Sequence, residues 1–391
     1  MERIKVIQLS HASHSFFSKG NEDFKELILS DFYFRVAKQL KKYYPEIEVE
    51  CWGPERKWKT EKAEVWNGIK FRFFPTTFSP KYALDLSLSM LKALRKEIKE
   101  SKKQNKKLII HLHEYHNLHG LIIASKFRKE NIIAQHHGGS WPIKHMRQTK
   151  AYRLFFPFFM LGQLYENLVL KNIKYFYALS EEEINYLKKK AKKSKIKFQT
   201  MGIGDEYFKI QNKSLARKKL KLPNKKIIIF IGRINEDKGI KYLLEAMKKL
   251  EKEEIELKII GFGDIDKFKQ QAKQLKLKNT EFVGPVFGEK KLLYLNAADA
   301  LVLPSSKEGA PVVIMEALAS NLPVIATDVG GVRNMLQNGK QGRIIKQKSS
   351  EEIANAIKEI LSWKKKNLQE YANKYKWKEI INSTVEDYKR I

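Results

Sequence analysis

Cysteine is almost absent from this chain of 391 residues, whose single example is Cys51. One cysteine excludes an intramolecular disulfide and any zinc site built from several cysteines. A reduced, cytoplasmic setting therefore fits the sequence. The first residues also lack the long apolar core and small-residue cleavage site of a signal peptide, so we expect none.

Long hydrophobic runs are missing as well. The most apolar window, residues 154–170, contains Pro157, Gln163, Glu166 and Asn167 and is too polar to span a bilayer. Hydrophobic residues still make up 43% of the chain and charged residues 31%, which is the composition of a globular protein. A chain of this length favours two domains.

Acidic residues are too few to balance the basic ones, and the formal net charge is +32. Residues 101–200 alone hold 20 basic and 6 acidic groups, a net +14. This excess favours an anionic membrane surface or nucleic acid as a partner; a lysine-rich coding bias is the third explanation. The stretch from Trp141 to Phe159 interleaves bases with aromatics, which suits a membrane interface, stacking on nucleic acid, or core packing.

Short apolar runs alternate with longer amphipathic runs, which predicts repeated β-α units and parallel sheets. The candidate strands are Ile4–Leu9, Ile47–Trp52, Ile69–Phe74, Leu108–Leu112, Ile132–His136, Tyr175–Leu179, Lys197–Thr200, Ile227–Ile231, Leu257–Ile260, Thr280–Val283, Ala300–Leu303, Val324–Ala326 and Gly342–Ile345. We predict an α/β fold with Rossmann-like domains at residues 1–202 and 203–373. Residues 374–391 are expected to form a helix that packs back on the first domain. Two such domains place a ligand in the cleft between the carboxyl ends of their strands.

Two cations follow the predicted strand Ile227–Ile231. Arg233 and Lys238 lie on a loop that starts at Gly232 and ends at Gly239. Arginine grips phosphate with a planar fork and lysine acts as a point charge, so a pyrophosphate suits both. An ordinary solvated loop is the alternative.

A second loop follows the strand Ala300–Leu303 and leads into a helix near Pro311. Small residues, Gly309 and Ala310, let a ligand approach the backbone, and the N–H groups of Val312 and Val313 then point at an anion on the helix start. Glu316 lies roughly 7.5 Å further along the helix, where it can accept ribose hydroxyls. Glu308 lies before the helix, on the side of the donor sugar. The alternative is that both carboxylates are ordinary surface charges.

Four motifs follow one another between about residues 227 and 345. They are Gly232-Arg233 with Lys238-Gly239, Gly261-Phe262-Gly263, Gly284-Pro285-Val286, and Glu308-Gly309-Ala310-Pro311 with Glu316-Ala317-Leu318-Ala319. Together they resemble the second domain of the family 4 retaining glycosyltransferases, which have the GT-B fold of two Rossmann-like domains with parallel sheets facing across a cleft. Weaker matches lie at Ala178-Leu179-Ser180, Met201-Gly202-Ile203-Gly204 with Phe208, and Trp377.

The resemblance implies roles for these residues. Arg233 and Lys238 would hold the donor pyrophosphate, Glu316 the ribose, and Glu308 the transferred sugar. The backbone around Gly261 and Val286 would lie near the base. It also implies transfer with retention and without a metal, because the cations and the helix start neutralise the leaving diphosphate.

Histidines cluster after two strands of the first half, in the segments 111–116 and 136–137. The resemblance favours His137, which precedes a glycine, as the histidine beside the donor sugar. Either His113 or His136 is a candidate for the acceptor pocket, as is Gly20 in the loop after the first strand. A zinc site is a weaker alternative. Asp264-Ile265-Asp266 matches the Asp-x-Asp pattern of metal-dependent transferases, but its position before a helix favours capping.

We therefore expect a retaining, metal-independent transferase that moves a sugar from a nucleotide-sugar donor to a lipid-linked or glycan acceptor at the cytoplasmic face of a membrane. No cofactor is expected beyond the donor itself. One alternative is a soluble transferase with a small-molecule or polysaccharide acceptor. An epimerase of the same fold is a smaller alternative. A basic nucleic-acid-binding protein on a Rossmann-like scaffold is the alternative from another class, and it leaves Glu308 and Glu316 unexplained.

Overall fold

A computed structural model of the chain describes residues 3–10, 13–14, 21–78, 85–138, 156–364 and 367–391. The chain divides into two compact units. The first comprises Met1–Met201 and Ile380–Ile391, and the second comprises Gly202–Glu379. Each unit is an α/β structure with one sheet.

The first unit holds an eight-stranded sheet in the order β3-β4-β2-β1-β5-β6-β7-β8. The strands are β1 (Arg3–Leu9), β2 (Glu48–Glu55), β3 (Lys62–Trp66), β4 (Ile69–Pro75), β5 (Lys106–His113), β6 (Asn131–Gln135), β7 (Tyr175–Ala178) and β8 (Lys195–Phe198). The helices are α1 (Asn21–Ser30), α2 (Phe32–Tyr43), α3 (Leu88–Lys103), α4 (Leu118–Lys126), α5 (Phe156–Val169) and α6 (Glu181–Lys190), with a 3-10 turn at Leu170–Asn172. All neighbouring strands run parallel except β3 and β4.

The central strands of this sheet are buried, because helices cover both faces of a parallel sheet. Every residue of β1 after Arg3 is buried, and so is every residue of β7. This burial explains why these strands read as continuous apolar runs in the sequence. Burial also determines where these strands end, because each strand ends where polar side chains begin.

Among the strands that the structure describes, the edge strand β3 is the one that the hydrophobic pattern does not predict. Four of its five residues are exposed. It pairs with β4 through a hairpin turn at Asn67 (φ 50°) and Gly68 (φ 71°). Both residues are left-handed, as a two-residue turn requires, so the Asn-Gly pair was the signal that identifies this hairpin.

The second unit holds a six-stranded parallel sheet in the order β11-β10-β9-β12-β13-β14. The strands are β9 (Lys226–Ile231), β10 (Ile255–Ile260), β11 (Thr280–Gly284), β12 (Ala300–Leu303), β13 (Val324–Thr327) and β14 (Gly342–Ile345). The helices are α7 (Lys213–Lys219), α8 (Ile240–Lys249), α9 (Ile265–Gln274), α10 (Gly288–Ala297), α11 (Val312–Ala319), α12 (Val332–Met335), α13 (Ser350–Leu361) and α14 (Leu368–Ala372). Short 3-10 turns lie at Asp205–Phe208, Glu236–Lys238 and Asn373–Tyr375.

The final helix, α15 (Trp377–Arg390), follows the 3-10 turn at Asn373–Tyr375. Ile381, Val385 and Tyr388 are buried at spacings of four and three residues, which places them on one face of the helix. At its start, Trp377 N–H donates to Ile203 O at 3.3 Å. The helix thus begins beside the residues that open the second unit and continues into the first.

Candidate active site

The loop after β9 carries the two predicted phosphate-binding cations. Arg233 is exposed, and it forms no ion pair with any residue in the described part of the chain. Lys238 ends the 3-10 turn Glu236–Lys238 and is half-buried, and left-handed Gly239 is the capping residue before α8. A buried strand therefore delivers two cations to its carboxyl end.

The loop after β12 leads into α11, as expected. Pro311 is the capping residue of this helix, which begins at Val312. Its side chain makes no capping hydrogen bond. Within the ranges that the structure describes, the N–H groups of Val312 and Val313 find no acceptor, as is usual for a first helical turn. Gly309 and Ala310 lie just before this turn and are half-buried.

The structure brings Lys238 and Glu308 into contact. Lys238 Nζ lies 2.6 Å from Glu308 Oε1, and Ser305 Oγ donates to the same oxygen at 2.7 Å. The Glu308 side chain is only 9% exposed and that of Lys238 is 21% exposed. A partly buried pair of this kind is screened less by solvent than a surface pair. Two residues that the sequence assigns to different parts of a donor therefore face each other.

Neighbouring loops hold this pair in place. Ser306 N–H donates to Asp237 O at 2.7 Å, which ties the loop after β12 to the loop after β9. Gly331 N–H donates to Gly309 O at 2.6 Å, which ties it to the loop after β13. Gly330 is left-handed (φ 54°), and a Cβ there would overlap the carbonyl oxygens of Glu308 and Gly309.

Glu316 is buried in α11 and has a partner that the sequence does not reveal. Lys291 Nζ of α10 lies 2.5 Å from Glu316 Oε2 and 5.7 Å from the ring centroid of Tyr207. Lys291 is one of two consecutive lysines at the start of α10, and no sequence signal distinguishes it from Lys290. The carboxylate expected to hold ribose is thus part of an ion pair.

Gly261 and Val286, predicted to lie near the base, follow β10 and β11. Gly261 (φ 151°) packs so tightly on the loop after β9 that a Cβ would overlap Gly232 O. Val286 is buried, whereas the next residue, Phe287, is 75% exposed. Their proximity to a base stays a prediction.

The capping hypothesis for Asp264 is wrong in its detail. Asp264 does precede α9, but its side chain makes no capping hydrogen bond, and its N–H donates to Ile234 O at 2.8 Å instead. The described residues contain no group of three or more histidine, cysteine or acidic side chains placed to hold a metal ion.

Histidines at the ends of β5 and β6 form two arrangements that meet at Glu114, whose Oε1 accepts from His137 N–H at 2.7 Å. His136 Nδ1 lies 2.9 Å from Glu183 Oε2 and its Nε2 lies 3.6 Å from Glu114 Oε2. Burial raises the pKa of Glu183, but its hydrogen bonds and its contact with His136 outweigh that effect and lower it overall. His136 is therefore held by two carboxylates.

His113 and His137 belong to the other arrangement. His113 Nδ1 lies 2.7 Å from His137 Nε2, and Phe32 stacks on the His137 ring with a centroid distance of 4.3 Å. The structure thus joins two histidines that the sequence assigned to different substrates. Gly20 and residues 141–155 of the basic and aromatic stretch lie outside the described residues.

Glu183 also closes the start of α6. Ser180 Oγ accepts from Glu183 N–H at 3.1 Å, and Glu183 Oε2 accepts from Leu179 N–H at 2.9 Å. This is a variant of the capping box, in which the glutamate three residues after the capping serine accepts from the N–H of the residue before the serine rather than from that of the serine itself. The weak family match at Ala178-Leu179-Ser180 therefore has a local structural cause.

Solved structures share this architecture along the whole chain. Sucrose-phosphate synthase of Thermosynechococcus elongatus aligns with a TM-score of 0.69 and 18% identity over 99% of each chain. The Anabaena protein HepE, solved in complex with UDP, aligns with a TM-score of 0.68 and 17% identity over 99% of this chain and 100% of that one. The predicted GT-B fold is confirmed.

Residues 211–377 match the family model described as glycosyl transferases group 1. This segment contains every residue of the second unit that is predicted to bind the donor, from Arg233 to Glu316. The match supports a transferase at the level of the group 1 glycosyltransferases.

Curated relatives agree over shorter segments. An uncharacterized glycosyltransferase of Methanocaldococcus jannaschii is 34% identical over 42% of this chain and 45% of its own length. A putative teichuronic acid biosynthesis glycosyltransferase, TuaC of Bacillus subtilis, is 40% identical over 38% of this chain and 36% of its own length. A phosphatidyl-myo-inositol mannosyltransferase of Mycobacterium leprae is 30% identical over 35% of this chain and 37% of its own length. The chain spans less than half the length of these relatives.

No helix among the described residues is long and apolar enough to cross a bilayer.

Proposed function

We propose that this protein is a family 4 retaining glycosyltransferase that takes a sugar from a nucleotide-sugar donor without a metal ion. One observation carries the proposal. In the second unit, Arg233, Lys238 and the start of α11 share one edge of the sheet with the buried carboxylates Glu308 and Glu316. A nucleoside diphosphate attached to a sugar offers phosphates to the cations and hydroxyls to the carboxylates. HepE, which has been solved with UDP, supports a donor of this class.

In the proposed reaction, the Lys238–Glu308 ion pair separates when the donor binds. An incoming diphosphate competes with Glu308 for Lys238, which leaves the carboxylate to accept hydrogen bonds from the sugar. As the bond from the anomeric carbon to the diphosphate breaks, charge builds on the leaving oxygen, where Arg233, Lys238 and the α11 N–H groups stabilise it. The acceptor hydroxyl forms the new bond to that carbon, and its proton leaves with the diphosphate.

A panel of nucleotide sugars, added with EDTA and followed by thermal shift and calorimetry, tests this proposal. We expect at least one donor to stabilise the protein without metal. Arg233→Ala is expected to abolish the effect, and Glu316→Gln to weaken binding about tenfold, or about 1.4 kcal/mol. Glu289→Ala, an exposed carboxylate on α10, is the control and should bind normally. If no nucleotide sugar stabilises the unaltered protein, the proposal fails.

We further propose that transfer takes place at the cytoplasmic face of a membrane, to a lipid-linked or glycan acceptor. The supporting observation is the outer face of α5. Leu161, Leu164 and Leu168 are spaced by three and four residues and are 64%, 53% and 62% exposed. On the other side, buried Glu166 accepts from Tyr186 OH at 3.0 Å and lies 3.3 Å from His116, so the helix is anchored with its leucines outward.

The chemistry of this face matches an anionic bilayer. Exposed leucines on one stripe bury into the acyl boundary, while exposed lysines nearby attract acidic headgroups. Lys188, Lys189 and Lys190 end the neighbouring helix α6 and are all exposed. Tyr186 connects the two helices through its contacts with Glu166 and Asn167. The mycobacterial phosphatidyl-myo-inositol mannosyltransferase supports a lipid as acceptor.

Vesicle flotation tests the membrane location. We expect the protein to float with vesicles that contain anionic lipid, and the triple variant Leu161→Gln, Leu164→Gln, Leu168→Gln to stay in solution. Leu215→Gln removes a leucine of similar exposure from α7 and should leave flotation unchanged. Normal flotation of the triple variant, or none by the unaltered protein, would support a transferase with a small-molecule or polysaccharide acceptor instead. A salt-sensitive gel shift without nucleotide-sugar affinity would support nucleic-acid binding.

A further inference from the structure

A chain of polar side chains inside the first unit connects α15 with His137. Tyr388 OH lies 2.7 Å from His111 Nδ1 and 3.4 Å from Gln8 Nε2. Gln8 Oε1 lies 2.6 Å from His113 Nε2. His113 Nδ1 in turn lies 2.7 Å from His137 Nε2.

From Tyr388 to His113, these side chains have almost no contact with solvent. Tyr388, Gln8 and His111 are fully buried, and His113 is almost so. Most buried donors and acceptors are satisfied within the protein, and here His111 Nε2 is an exception with no hydrogen-bond partner among the described residues. The protons along this chain are therefore placed by the neighbouring groups rather than by water.

The donors and acceptors along this series of hydrogen bonds assign one tautomer to each histidine ring. Gln8 Nε2 donates to the Tyr388 oxygen, and the Tyr388 hydroxyl donates to His111 Nδ1. Gln8 Oε1 can only accept, so His113 Nε2 carries the proton that it receives. In the neutral His113 ring the other nitrogen, Nδ1, accepts, which requires a proton on His137 Nε2.

Two further observations concern His111 and His137, which lie at the two ends of this series of hydrogen bonds. Burial lowers the pKa of His111 to about 3, so this ring stays neutral. Because Tyr388 donates to Nδ1, the ring's own proton lies on Nε2. At the other end, the Phe32 ring lies 4.3 Å from that of His137 at an interplanar angle of 4°. Both the proton position and the ring plane of His137 are thus fixed.

We propose that Gln8, His113 and Tyr388 are positioning residues that hold His137 as its Nε2–H tautomer, with no proton on Nδ1. The effect on kcat/KM rests on the proposed function, whereas the tautomer does not. A neutral histidine with this tautomer donates no proton at Nδ1. Tyr388 of the C-terminal helix thus determines the tautomer of His137 through hydrogen bonds alone.

The tautomer is measured directly by nitrogen-15 NMR of the histidine-labelled protein near pH 8, where a protonated ring nitrogen and one with a lone pair resonate far apart. We expect His113 and His137 to be Nε2–H tautomers. Tyr388→Phe removes the partner that orients the Gln8 amide and should give His137 a mixture of tautomers, with a three- to tenfold loss of kcat/KM, the size of one hydrogen bond. Gln8→Glu keeps an acceptor for His113 and should keep the tautomer, while its charge raises the pKa of His113 and shifts the pH profile.

The matched control is Tyr175→Phe, which removes another tyrosine hydroxyl bonded to α15, through Asp387 at 2.8 Å, and touches no member of the chain. It should leave the tautomers and kcat/KM unchanged. An Nδ1–H tautomer at His137 in the unaltered protein, or an unchanged tautomer in Tyr388→Phe, overturns the proposal. If the tautomers behave as expected but no sugar is ever transferred, the positioning chain stands and the proposed function falls.

Discussion

His119 is a buried histidine in α4 with no hydrogen-bond partner for either ring nitrogen among the described residues. Burial lowers its pKa to about 4. A buried polar group without a partner costs about 1–3 kcal/mol. We therefore predict that His119→Leu, which replaces the ring by an apolar side chain of similar size, stabilises the protein by about 1 kcal/mol in urea unfolding at pH 7.

The same variant tests the pH dependence. The folded pKa of His119 lies below its ordinary value of 6.5, so the unfolded chain takes up the proton first as the pH falls. Stability is then lost between about pH 6.5 and pH 4, by up to about 1.4 kcal/mol per pH unit. His119→Leu should flatten this slope. His111→Leu is the contrasting variant, since it deprives Tyr388 of its partner and should destabilise. Lower stability of His119→Leu at pH 5 would contradict the prediction.

Gly330 and Gly339 are both left-handed, with φ of 54° and 91°, but their surroundings differ. A Cβ at Gly330 would overlap the carbonyl oxygens of Glu308 and Gly309, whereas at Gly339 the nearest atom, Gly342 O, is 3.8 Å away. Both alanine variants should lose about 1–2 kcal/mol from the left-handed backbone. We predict that only Gly330→Ala also loses the stabilisation by a nucleotide sugar in thermal shift. Equal donor effects in the two variants would show that this loop is not part of the site.

At the scale of elements, α15 is attached to the first sheet through Asp387. This buried carboxylate accepts from Tyr175 OH at 2.8 Å and Tyr177 OH at 3.1 Å, and lies 3.2 Å from Lys197 Nζ. Asp387→Ala removes the acceptor of two buried tyrosine hydroxyls and the carboxylate beside a lysine, so we predict a loss of about 2–4 kcal/mol in urea unfolding.

The neighbouring residue provides the control. Glu386 is exposed and pairs with Arg390 one turn later, at 3.2 Å. Exposed pairs of this kind contribute well under 1 kcal/mol, so Glu386→Ala should change the free energy of unfolding by less than about 0.5 kcal/mol. If the two alanine variants lose similar stability, the attachment of α15 does not depend on Asp387.

The elements that the sequence predicts are those in which burial decides the structure. β1, β9 and β12 read as apolar runs because both of their faces are covered, and their carboxyl ends show where polar loops begin. β3 escapes this pattern because its side chains are exposed, and only the turn at Asn67 and Gly68 reveals it. Hydrophobic periodicity reports burial, so it is silent at an exposed sheet edge.

Some features of the candidate site could likewise be predicted from the sequence, and others could not. The positions of Arg233, Lys238, Glu308 and Glu316 were predictable, because the first three lie in loops that follow strands and Glu316 lies in the helix that comes after the second loop. The contacts among them were not, since the Lys238–Glu308 pair depends on the packing of two loops. Long-range partners such as Lys291 and Tyr388 carry no local signal at all. Only the tertiary structure assigns Lys291 to Glu316 and Tyr388 to Gln8.

At the scale of the whole molecule, the net charge of +32 acts in one of two ways. A general excess of lysine attracts every anion, and its effect depends on total charge alone. A local cluster acts through the few lysines that reach the ligand, since charges separated by more than about 8 Å are screened at physiological salt. The position of the lysines on the surface separates the two.

We predict that the position of the lysines on the surface, rather than the total charge, determines binding to anionic vesicles. Replacing Lys188, Lys189 and Lys190 at the end of α6 by glutamine should weaken binding to anionic vesicles at least tenfold, because each lysine near such a surface contributes about 1 kcal/mol. Replacing Lys269, Lys273 and Lys276, three exposed lysines of the second unit at and beyond α9, removes the same charge and should leave vesicle binding nearly unchanged. Equal losses in flotation would show that total charge governs the attraction, and the lysines beside α5 would then have no special part in it.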